Sequence, residues 1–200
     1  TFSVLVFTGT DYKSALTGSG FKSALYERKI NGKTEYTYAT AGTEASWADV
    51  GADTKQPLGL SNQYKESKKR AQELKKILGK AEITYTGHSL GGGLAETNAI
   101  TTGDKAITFN AAGVSPLTAS GKSKTTAFIM TTDPLNLIQQ ATIIPTAGGR
   151  KQLVSPRTIG GWYNGHSIDN MIDALKVIKD GGDYKLIEVM SKKWSDLMNK

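Results

Sequence analysis

The chain has 200 residues, a net charge of +7 and no cysteine, which excludes a thiol nucleophile and any disulfide scaffold. Hydrophobic residues make up 38% and charged residues 22%, near the globular average, so a disordered chain is excluded and one compact domain over residues 1–200 is expected. The basic balance favours an anionic partner, but no nucleic-acid-binding signature accompanies it.

In chain order, Phe2 to Phe7 is a short apolar run, far too short to span a membrane or serve as a signal core. Phe21 to Arg28 and Thr34 to Thr40 read as two strands joined at Asn31-Gly32, a dipeptide suited to the left-handed backbone of a tight hairpin. Residues Gly51 to Tyr64 read as a plain loop of Gly, Pro and Asn, or at most a small lid. From Gln63 to Lys80, Tyr64, Ser67, Ala71, Leu74 and Leu78 recur at steps of three and four, predicting a helix whose lysines and Arg70 form a solvated outer face. Ile83 to Thr86 is a strand running into Gly87 to Gly93, and Leu90 to Ile100 reads as a helix. Strands follow at Ala106 to Asn110 and Thr126 to Met130. Apolar spacing then marks a helix around Ile168 to Ile178 and a last one around Leu186 to Leu197. Strands alternating with helices imply a mostly parallel sheet covered on both faces, preceded by a hairpin.

Gly87-His88-Ser89-Leu90-Gly91 carries the chemistry. A strand that must turn sharply into a helix at a serine, with glycine on both flanks, presents the hydroxyl as a nucleophile. A serine hydroxyl needs a base, and the chain has only His88 and His166. His88 precedes the nucleophile, where the turn should send its side chain away from the hydroxyl, so His166 is expected to be the base. The acid should fall between them: Asp104 lies before a strand, whereas Asp133 follows one and is favoured. Glu96, Asp169 and Asp173 are read as helix-face or helix-terminus charges. The oxyanion would be held by the Leu90 N–H and a second donor from a strand ending in Gly-Thr, at Thr43 or at Thr10. No metal or organic cofactor is implied.

On these residues the chain resembles the class 3 lipases, a family of α/β hydrolases, from about Gly20 to Leu175. Ala41-Gly42-Thr43 followed by Ser46-Trp47-Ala48-Asp49, Thr86 to Leu94, Ile107 to Gly113, Asp133-Pro134-Leu135 and Gly165-His166-Ser167 carry the likeness. It implies the α/β-hydrolase fold, a Ser89–Asp133–His166 triad and Thr43 as the second oxyanion residue. Phe109 to Gly113, Asp133 to Asn136 with Gln139, and His166 to Leu175 further resemble lipase-like toxin domains of bacterial secretion systems, including type VI effectors. That likeness implies a phospholipase acting on a competitor's membrane, and an immunity protein in the producer. It also implies that the chain is part of a larger secreted protein delivered by a secretion system, which fits a start at Thr1 without methionine or signal peptide. A triacylglycerol lipase, a carboxylesterase, acyltransferase or thioesterase with the same triad, and a hydrolase-shaped binding module are the competing expectations.

Overall fold

A computed structural model describes residues 3–5, 21–42, 57–141, 145–157 and 164–179. Seven strands form one sheet in sequence order: β1 (Ser3–Leu5), β2 (Ser23–Ile30), β3 (Lys33–Thr40), β4 (Ile83–His88), β5 (Lys105–Phe109), β6 (Lys124–Met130) and β7 (Arg150–Val154). β1, β2 and β3 pair antiparallel, and β3 to β7 run parallel. The hairpin closes where expected: Ile30 pairs with Lys33, and Asn31 (φ 48°) and Gly32 (φ 76°) both take the left-handed backbone that makes the two-residue turn follow the strand twist.

Among the described residues, four helices connect or cover the strands: α1 (Pro57–Leu78), α2 (Leu90–Thr102), α3 (Pro134–Ala141) and α4 (Ile168–Lys179). On one face Ala71 and Leu74 of α1 and Ala95 and Ala99 of α2 pack with Leu25, Tyr38, Ile83, Tyr85 and Ala106 from the strands. Met171 and Ala174 of α4 join a separate cluster with Phe109, Phe128, Met130 and Val154. Small alanines on the helices against large strand side chains let α1 and α2 lie close to the sheet, and each large buried residue contributes about 1.5–3 kcal/mol.

Several elements depart from their expected bounds. α1 starts at Pro57, six residues early, so Pro57 to Tyr64 of the supposed loop or lid is helix, while 51–56 lie outside the described residues. Proline is compatible with a first helical turn because its missing N–H would have no partner there. The lysines of α1 are not simply a solvated face. Lys68 donates to Thr118 O at 2.9 Å, and Lys75 bridges Asp104 Oδ1 at 2.8 Å and Ala81 O at 3.0 Å. α3 and β7 had no counterpart in the expected elements. The helix expected at Leu186 to Leu197, and Phe2, Val6 and Phe7 of the N-terminal apolar run, lie outside the described residues.

Glu96 also departs from expectation. It is buried inside α2, with Oε2 accepting the Gly148 N–H at 3.0 Å, so it anchors the approach to β7. Burial raises its pKa, against the lowering effect of that hydrogen bond. A carboxyl whose folded pKa lies above the unfolded one loses stability as pH climbs from the unfolded value toward the folded one. Glu96→Gln keeps an acceptor for Gly148 and removes the charge, so its melting temperature should fall less than the parent's as pH is raised from about 4.5 to 7. Parallel thermal melts across that range would refute this if the two proteins declined equally.

Candidate active site

All five parallel strands end at one edge, and the candidate residues gather there. The β4–α2 turn forces Ser89 to φ 60°, ψ −128°, a conformation that an L residue adopts only when its surroundings impose it. Those surroundings are visible. The Ser89 N–H donates to Phe109 O at 3.1 Å, and its carbonyl accepts from Gly92 N–H at 3.0 Å and Ala112 N–H at 2.9 Å. Thus β5 and the first turn of α2 clamp the serine from both sides.

Close approach explains Gly91. A Cβ there would press into the Thr40 carbonyl and lie 2.7 Å from the Ala41 carbonyl carbon. The end of β3 therefore runs against the first turn of α2, and Thr40 Oγ1 donates to Gly91 O at 2.6 Å. Gly91→Ala should cost about 1–3 kcal/mol through this overlap with backbone, read as a lower midpoint in urea. An unchanged midpoint would show that β3 yields freely.

Asp133 follows β6 directly, is fully buried, and caps α3. Its Oδ1 accepts the Leu135 N–H and its Oδ2 the Asn136 N–H, each at 3.2 Å, with Pro134 at the first helical position. Oδ1 also lies 2.7 Å from His166 Nδ1. Two helix-end donors fix the orientation of the carboxylate and aim it at His166. Because a carboxylate only accepts, His166 Nδ1 carries the hydrogen, leaving Nε2 as the ring's basic atom.

Sequence reasoning missed two residues here. Asn110, buried at φ 42°, donates from Nδ2 to Gly165 O at 2.8 Å, while its Oδ1 accepts the Met130 N–H at 2.8 Å. It ties the His166 loop to the strand end that leads into Asp133. His88 does not turn its back on the site. Its ring lies 4.8 Å from that of His166, and its Nε2 donates to the His166 carbonyl at 2.6 Å. Burial, then the neighbouring His166, lowers its pKa below the usual histidine value.

The other candidates sort by position. Leu90, buried, opens α2 beside Ser89. Thr43 and Thr10 lie outside the described residues; Gly42, just before Thr43, comes so close that a Cβ on it would stand 3.6 Å from the Ser89 Cβ. Asp104 is bound to Lys75 before the start of β5, the far end of the strand from Ser89. Asp169 lies in the first turn of α4, and Asp173 pairs with Lys176 at 3.3 Å.

The sequence model of the Tle-like phospholipase domain matches residues 3–159. The chain belongs to this family. Within curated proteins, the extracellular phospholipase A1 of Serratia liquefaciens is 44% identical to this phospholipase-family chain over 102 residues, covering 50% of the chain and 30% of that protein. The match therefore spans less than a third of the relative's length. Among solved structures, the native Rhizomucor miehei lipase propeptide complex superposes with a TM-score of 0.51 at 13% identity, over 68% of this chain and 53% of the other. A mutant form of MDLA from Penicillium cyclopium gives 0.50 at 19% identity, over 74% and 63%. These likenesses show a shared fold, the α/β-hydrolase arrangement expected from the sequence.

Proposed function

We propose that this domain is a serine hydrolase that cleaves the acyl esters of glycerophospholipids. The observation that carries the reading is the 2.7 Å contact between His166 Nδ1 and buried Asp133, at the same sheet edge as a serine held at a strained strand-to-helix turn. Membership in a phospholipase family supports the substrate class, and the net charge of +7 suits an anionic lipid surface.

In the proposed reaction His166 Nε2 takes the Ser89 hydroxyl proton as Oγ attacks the ester carbonyl. The carbonyl π pair moves to oxygen, where the Leu90 N–H and Thr43 stabilise it. Asp133 stabilises the imidazolium through Nδ1–H. Collapse of the intermediate breaks the ester C–O bond, and the imidazolium returns its proton to the leaving lysophospholipid. Water, deprotonated by the same nitrogen, then releases the fatty acid and restores Ser89.

The biological reading is an antibacterial effector, secreted and delivered into a competitor, with an immunity protein protecting the producer. The family's name and the extracellular relative support this setting. Product analysis tests the substrate class. With phospholipid vesicles and a triacylglycerol emulsion offered in parallel, lysophospholipid and free fatty acid should accumulate in equal amounts from the vesicles. Fatty acid from triacylglycerol alone would replace the phospholipase reading with a neutral-lipid lipase.

A further inference from the structure

Two successive carbonyls in the loop that carries His166 are each held by a side chain from the end of an adjacent strand. Asn110, after β5, holds Gly165 O at 2.8 Å, and His88, the last residue of β4, holds His166 O at 2.6 Å. The Asn110 bond links this loop to β6 and so to Asp133. The His88 bond links the loop to the residue immediately before Ser89. Each member of the candidate triad is thereby referenced to the same strand ends.

We propose that His88 is a positioning residue, whose imidazole donates from Nε2 to the main chain of His166 and keeps that ring placed between Asp133 and Ser89. The inference rests on the reading of Ser89, Asp133 and His166 as the hydrolytic set. A carbonyl can only accept, so Nε2 of His88 must carry a hydrogen. Neutral and protonated rings both meet that requirement, but they differ in what they do to His166. A charged His88 would stand 4.8 Å, ring to ring, from the imidazole that must itself become cationic during the reaction. The titratable groups facing His88 are His166, from the loop before α4, and Asp133, from the β6–α3 junction; burial and the neighbouring His166 ring together outweigh the opposing pull of the hydrogen bond to the His166 carbonyl and of Asp133, and favour the neutral ring. Misplacing a reacting group by about 1 Å can cost on the order of 100-fold in rate, which sets the scale of the effect.

The test compares His88→Ala, His88→Asn and His88→Gln. Glutamine extends an N–H to about the reach of Nε2, whereas asparagine falls short. Alanine and asparagine should lower kcat on phospholipid vesicles by about 10- to 100-fold, with KM within about threefold, and glutamine should recover most of the loss. The acid limb of the parent's rate profile should steepen below pH 6.5, where His88 charges, and the glutamine variant should lose that second proton dependence. Nitrogen-15 NMR of histidine-labelled Ser89→Ala protein, which needs no turnover, should show His88 as the Nε2–H tautomer. Glutamine as slow as alanine, all three variants within about twofold of the parent, or an Nδ1–H tautomer at His88 would overturn the proposal. Absence of hydrolysis by the unsubstituted protein would overturn the reading of the site instead, and the tautomer would still decide the role of His88.

Discussion

Ser89→Ala is expected to lower kcat on phospholipid by on the order of 10⁶-fold, the scale found when a hydrolase loses its serine nucleophile. The variant should fold, because the clamp on residue 89 is made by its backbone: the N–H to Phe109 and the carbonyl to Gly92 and Ala112. Ser89→Gly separates activity from stability more sharply. At φ 60°, ψ −128° the serine stores backbone strain of about 1–3 kcal/mol that glycine relieves, offset by about 0.5–1 kcal/mol of extra entropy lost on folding. The glycine variant should therefore be inactive yet more stable by about 1 kcal/mol, a rise of roughly 3 °C in melting temperature. A melting temperature below the parent's would mean that the turn is not strained.

Asp133→Asn should lower kcat by about 10⁴-fold while leaving the fold nearly intact. Asparagine is as good a helix cap as aspartate, so α3 keeps its N-terminus. Only one amide oxygen remains, however, for three donors: His166 Nδ1 and the N–H groups of Leu135 and Asn136. If that oxygen caps the helix, the amide N–H faces His166 and favours the tautomer with hydrogen on Nε2, the atom needed as base. Steady-state kinetics beside a thermal melt would check both halves. A loss under about tenfold would remove Asp133 from the mechanism.

The hairpin and the β4–α2 junction were legible in the sequence because each is marked by a local signal. Asn31-Gly32 dictates its turn, and Gly87 to Gly93 can only be a tight junction, since Gly91 packs against the backbone of β3. The two histidines made the choice of base almost arithmetic. α3 escaped notice because it is short, 8 residues, and its first turn looks like a proline loop. β7 escaped because Arg150 and Lys151 open a strand at the sheet edge, where exposed side chains blur the alternation. The hydrogen bonds that Asn110 and His88 make to the His166 loop could not be read. Their partners are main-chain carbonyls 55 and 78 residues away, which carry no side-chain signature.

The central claim is that Ser89 is a nucleophile activated by His166 and Asp133, and covalent capture tests it most directly. The protein would be treated with a fluorophosphonate, which reacts with activated serine hydroxyls, then digested and mapped by mass spectrometry. One adduct per chain, on the peptide bearing Ser89 and lost in His166→Ala, is the predicted result. An adduct on another serine, or labelling of Ser89 that is unaffected by removing His166, would contradict the account.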